Sequence, residues 1–92
     1  MVARSLSVHP NPFNPQATIS FSRVRDAWAS VVVYDLVGRR VVTLASRMFD
    51  AGLNTLTWYG RDAAGKAMPS GTYIVRLETD SGVEARKVAL VR

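Results

Sequence analysis

The chain has 92 residues, enough for one domain with a modest core and with little left over for a deep catalytic cleft, and its 48% hydrophobic content argues against disorder. With no cysteine, disulfides, zinc–thiolate sites and thiol nucleophiles are excluded, and the fold must rest on packing and strand pairing. The formal net charge of +5 raises the question of anionic partners, but the 12 Lys and Arg residues never run longer than a pair, the pattern of a solvated surface rather than of a nucleic-acid interface.

Short β-rich runs broken by Gly, Pro, Asn and Asp fill the chain, and no stretch keeps a helical period; Arg23 to Trp28 has room for one turn at most. The first run is Arg4 to Val8. It meets Pro10-Asn11-Pro12-Phe13-Asn14-Pro15, whose prolines lack the N–H that a central strand needs, so the segment reads as a rigid, extended connector. Phe13 is its one large apolar residue and is expected to be pinned against the body. Ala17 to Arg23 alternates strictly, with Ile19 and Phe21 on one face and Thr18, Ser20 and Ser22 on the other, the mark of a half-buried strand.

The third run, Ala29 to Leu36, should turn Val31 and Val33 inward and Tyr34 outward. Asp35-Leu36-Val37-Gly38 reads as a tight turn that Asp opens by bonding its own backbone and Gly38 ends by supplying a positive φ. Arg39 to Ala45 returns as the fourth run, and Ser46 to Gly52 reads as a loop. Leu53 to Tyr59 follows, with Leu56 and Trp58 sharing a face. Gly60 to Ser70 is a second long loop, in which Asp62-Ala63-Ala64-Gly65 repeats the Asp-x-x-Gly turn. Gly71 to Glu78 presents Tyr73, Val75 and Leu77 to one side, and Asp80-Ser81-Gly82 turns the chain into Val83 to Val91, with Val88 and Leu90 on one face. The polar Glu84-Ala85-Arg86-Lys87 half of that run suits an edge strand. Seven short strands at this spacing predict an all-β, antiparallel sandwich of the immunoglobulin/fibronectin-III type, in one domain spanning residues 1–92.

Candidate chemistry is sparse. His9, the one histidine, sits beside a proline at the start of the connector, a poor platform for a Ser-His-Asp arrangement. Most carboxylates fall in turns, where Asp serves the backbone. Asp62 and the loop carbonyls fall short of the six to eight oxygens calcium takes. Gly60 to Lys66 lacks the phosphate-loop form because Ala67 follows the lysine and no helix comes after. Trp58, Tyr59 and Arg61 together could stack on single-stranded nucleic acid, but Trp58 reads as core between the sheets. Tyr73 reads as a corner tyrosine tied back to a loop. The expectation is a non-enzyme with no catalytic residue, metal or cofactor. Met1 to Val8 lacks the apolar stretch of a secretion signal, and no segment is long and apolar enough to span a membrane.

Six segments in order carry a family resemblance. They are the Pro-rich connector with its Thr-x-Ile-x-Phe-type strand Ala17 to Phe21, Val33 to Val41, Trp58-Tyr59-Gly60-Arg61-Asp62-Ala63-Ala64-Gly65, Ser70-Gly71-Thr72-Tyr73, and the closing Lys87-Val88-Ala89-Leu90-Val91-Arg92. The series resembles the C-terminal (type A) sorting domain of type IX secretion cargo and the overlapping immunoglobulin-like domain of flagellar hook-capping proteins, from about Leu6 to Arg92. That resemblance implies export through the periplasm to the outer cell surface, secretion-machinery partners, an upstream passenger in the same chain and attachment to anionic lipopolysaccharide after processing. By position it assigns sorting to Lys87, Val88, Ala89, Leu90, Val91 and Arg92. Pro12, Phe13, Pro15, Asp35, Gly38, Trp58, Gly60, Asp62, Gly65, Gly71 and Tyr73 match hallmarks read as structural. Tyr59 stands where that family usually has Asp, Asn54 where it commonly has His or Tyr, and Met68-Pro69 occupies a variable position. Two other readings remain: a structural module of a surface or hook-cap assembly, and a carbohydrate- or calcium-binding accessory domain.

Overall fold

Strand follows strand through residues 6–92, the part of the chain that the computed structural model describes. The elements are β1 (Ser7–His9), β2 (Ala17–Arg23), β3 (Ala27–Asp35), β4 (Arg40–Phe49), β5 (Gly52–Trp58), β6 (Gly71–Thr79) and β7 (Gly82–Leu90). They form two antiparallel sheets, β1-β2-β5 and β4-β3-β6-β7. This is the expected all-β immunoglobulin-like sandwich.

The alternation read from sequence decides which side chains fill it. Ile19 and Phe21 from β2, Val31 and Val33 from β3, Tyr73, Val75 and Leu77 from β6 and Val88 and Leu90 from β7 all point into one shared core. Each such aliphatic or aromatic side chain contributes about 1.5–3 kcal/mol by leaving water. The opposite rows of β2 and β5 are hydroxyl-rich: Thr18 pairs with Thr57 and Ser20 with Thr55. A slip of one residue would bury that row, so the pattern fixes the register.

Several boundaries differ from expectation. The β3 strand begins at Ala27, not Ala29, and β4 runs on to Phe49, not Ala45, so the expected loop from Ser46 to Gly52 shrinks to Asp50 and Ala51. The cause is Phe49, which is 2% exposed and packs edge-on against Phe21 at 5.0 Å between ring centroids. The guanidinium of Arg47 lies 3.9 Å above its ring. That anchor draws Ala27 and Phe49 into one rung of the ladder. The strand absorbs the extra length through irregularities at Val31/Val32 and Val33/Tyr34. Residues 24–26 form bends, not a helical turn. In the first run, β1 ends at His9 rather than Val8, and the expected part at Arg4 and Ser5 lies outside the described residues. The other strand ends differ by one residue: β5 starts and stops one earlier, as does β7, and β6 continues to Thr79.

The connector departs from the extended form as well. It bends at 10–12 and again at 14–15, and only Phe13 enters a ladder. That single rung decides how the closing strand is held.

Candidate recognition site at the closing strand

Phe13 forms a parallel bridge to Leu90: its amide donates to the Ala89 carbonyl at 2.9 Å, and its carbonyl accepts from the Val91 amide at 2.9 Å. Asn11 extends the pairing with its side chain. Its amide nitrogen donates to the Lys87 carbonyl at 3.1 Å, and its oxygen accepts from the Ala89 amide at 3.0 Å. The side-chain amide thus stands in for a peptide group where Pro10 and Pro12 have no N–H to give. Together they cover the outer edge of β7 from Lys87 to Val91.

Beneath that edge, Phe13 is 1% exposed and meets Trp58 at 5.4 Å between centroids, and Trp58 meets Tyr73 edge-on at 5.3 Å. Both polar atoms of this aromatic stack are satisfied. The Trp58 indole N–H donates to the Arg61 carbonyl at 2.9 Å, and the Tyr73 hydroxyl donates to the Pro69 carbonyl at 2.7 Å. The core tryptophan and the corner tyrosine are therefore where the sequence put them. Burial raises the Tyr73 hydroxyl pKa above its usual 10.0, against the opposing pull of the Arg92 charge.

Arg92 closes the end of the sandwich. Its amide donates to the Ser70 hydroxyl at 2.9 Å, and its guanidinium bonds the Met68 and Gly60 carbonyls. Gly60 sits at φ +70°, and a Cβ there would lie 2.7 Å from the Arg92 guanidinium and 3.2 Å from Leu90. The positive φ favours glycine here, and an added Cβ would also have to displace the Arg92 guanidinium and press on Leu90. Gly71 opens β6 next to this corner and pairs with Leu90.

The two Asp-x-x-Gly turns are the same structure twice. Asp35 Oδ1 accepts from the Val37 and Arg39 amides, and Asp62 Oδ1 from the Ala64 and Lys66 amides. In each, the glycine amide (Gly38 or Gly65) donates back to the aspartate carbonyl, and both glycines have positive φ. Partial burial disfavours the Asp35 charge, but the amides of Arg39 and Val37 and the Arg39 guanidinium outweigh it and hold the carboxyl below 3.8. A shallow groove lined by Asp35, Arg40, Asp62 and Met68 separates the turns.

Of the six residues assigned to sorting, Val88 and Leu90 are core, while Lys87, Val91 and Arg92 are exposed. Pro12 and Pro15 are exposed, and Phe13 between them is buried. His9 is exposed on β1 opposite Thr18. Among the described residues, no three His, Cys, Asp or Glu side chains gather as metal ligands, and no helix is long and apolar enough to cross a membrane.

Two features escaped sequence reasoning. One is Asn11, whose signal was an asparagine set between prolines. The other lies at the far end, where Arg23 and Arg25 both bond Asp80 at 2.9 Å. The Arg23 hydrogen bond, with both positive charges, lowers the Asp80 pKa below 3.8.

Among solved structures, the chain is similar to PorZ, described as an essential bacterial surface component of the type IX secretion system of Porphyromonas gingivalis. The identity is 26% and the TM-score 0.66, over 95% of this chain and 11% of PorZ. It shares its fold with dimeric latent PorU from the same organism, at a TM-score of 0.77 and 22% identity, over 98% of this chain and 10% of PorU. FLGD from P. aeruginosa is 27% identical, with a TM-score of 0.64, over 96% of this chain and 67% of that one. The chain thus spans about a tenth of PorZ and PorU. No curated protein matches it. The model of the FlgD Ig-like domain matches residues 13–82, from the buried phenylalanine to the β6–β7 turn, and the chain belongs to that family.

Proposed function

We propose that this chain is a non-catalytic sorting and anchoring module of a secreted bacterial protein, read by the type IX secretion machinery at its closing strand. The observation that carries the reading is the match to PorZ: nearly all of this chain corresponds to 11% of a type IX surface component, at 26% identity. A small sandwich that corresponds to a minor part of a much larger surface component fits a module serving its parent protein. Its exposed closing residues, Lys87, Val91 and Arg92, offer a basic and apolar surface to a reader. An upstream passenger, arrival at the outer cell surface and attachment to anionic lipopolysaccharide belong to the same proposal. The test replaces the exposed Lys87 and Val91 by Glu and Ser in the full-length parent, leaving the core residues Val88 and Leu90 in place, and follows its location in a type IX-competent bacterium. Loss of surface display is expected, and undiminished display overturns the reading.

A second reading is favoured by the FlgD Ig-like family match and by the similarity to P. aeruginosa FLGD, of which the chain covers 67%. Here the module is a structural part of a hook-cap or surface assembly. Tolerance of the changes at Lys87 and Val91, combined with loss of assembly when other surface residues are changed, would select it.

A further inference from the structure

Two sheets have four outer edges, and here three of them are guarded. The β1 strand has only three residues. The β4 edge carries Arg40 and Arg47 and two irregularities in its pairing. Along β7 lie Glu84, Arg86 and Lys87, and the connector covers its closing half. Short length, charge, bulges and cover are the devices by which sheets avoid pairing with other chains. The fourth edge, β5, uses none of them. Its seven residues, Gly-Leu-Asn-Thr-Leu-Thr-Trp, include no charge and no proline, and its pairing to β2 is regular from end to end. Among the described residues, β5 has a strand partner on one side only.

We propose that the free edge of β5 is a self-association site, at which two copies of this chain pair β5 to β5 antiparallel about a two-fold axis through Thr55. Charge argues for a second copy. A chain of net charge +5 repels its own kind over most of its surface, but residues 51–60 are uncharged and are flanked by Asp50 and Arg61, which have opposite signs. An antiparallel arrangement about Thr55 sets Leu53 opposite Thr57 of the second copy and Thr55 opposite itself. It also brings Asp50 beside Arg61 of the second copy at both ends. A parallel arrangement would set like charges together instead. The outward row next to the free edge, Thr18, Ser20, Ser22, Leu53, Thr55 and Thr57, carries no charge, and His9 of the same face lies on β1 at the opposite edge, so two three-stranded sheets become one six-stranded sheet without bringing charges together at the seam. Isologous pairing of this kind closes on itself. A single pair of short strands buries less than the roughly 1,200 Å² of a standard interface, so the dimer is weak and concentration-dependent.

The experiment uses the chain itself, from micromolar to millimolar concentration, in sedimentation equilibrium and in amide chemical-shift titration. A reversible monomer–dimer equilibrium is expected, with the shifts centred on Leu53 to Thr57. Thr55→Lys puts two cations on the dyad and should weaken the dimer by about tenfold or more. Thr55→Glu should do the same, and an equimolar mixture of the two variants should dimerise more tightly than either alone. A monomer at every concentration, shifts centred on another surface, or a mixture no tighter than its components each overturns the proposal. If a variant does not fold, the location of the shifts in the parent chain decides.

Discussion

Replacing Trp58 by alanine tests the aromatic stack on which the closing strand rests. The side chain is 2% exposed, touches both Phe13 and Tyr73, and satisfies the Arg61 carbonyl. Large-to-small changes at buried tryptophan cost about 3–5 kcal/mol, made up of the lost transfer energy and the cavity left behind. A domain of this size has a total stability of about 5–14 kcal/mol. The alanine variant should therefore keep only about 0–2 kcal/mol of stability at the lower end of that range. Trp58→Phe keeps most of the packing but leaves the Arg61 carbonyl without its donor, at about 1–3 kcal/mol. Urea unfolding followed by far-ultraviolet circular dichroism measures both variants, independently of the fluorescence of Trp28, the other tryptophan. With a slope of about 1 kcal/mol/M for a small domain, the midpoint should fall by about 3–5 M for alanine and by about 1–3 M for phenylalanine. An alanine variant within about 1 M of the parent would refute the claim that Trp58 joins the two sheets.

Gly60→Ala should lose about 1–3 kcal/mol by urea unfolding, from the positive φ and the clash with Arg92; Arg92→Ala in the same chain should recover only the part due to the clash. Asn11→Ala removes both side-chain bonds to the β7 backbone, so hydrogen exchange at the Ala89 amide should speed up while β3 amides keep their protection. Asp80 has its carboxyl pKa lowered by Arg23 and Arg25, so its contribution is present above about pH 4 and is lost as pH falls through the lowered value. Stability compared between pH 7 and acid should therefore drop less in Asp80→Asn than in the parent, and equal drops would show that the arginine pair is not coupled to folding.

Strict alternation made the strands legible. Ile19 and Phe21, Val31 and Val33, and Tyr73, Val75 and Leu77 each name a buried row without any knowledge of the partner strand. The turns were legible for another reason: Asp35 and Asp62 bond only to their own loops, so the chemistry is local. What stayed hidden depends on contacts distant in sequence. Met48 and Phe49 looked like loop because nothing nearby reveals that Phe21 receives the Phe49 ring. Asn11 bonds a backbone more than seventy residues away. The prolines correctly excluded a central strand, but they could not say that one phenylalanine between them would still complete a ladder rung.

The matched Asp-x-x-Gly turns separate architecture from display. In each, the aspartate and the glycine make the bonds that hold the bend, and the two residues between them contribute backbone alone. Leu36 and Val37 accordingly stand 61% and 76% exposed at the tip. Evolution, or an engineer, can rewrite those two letters in either turn and so change what the end of the molecule offers its surroundings, while the frame that carries them stays as it is.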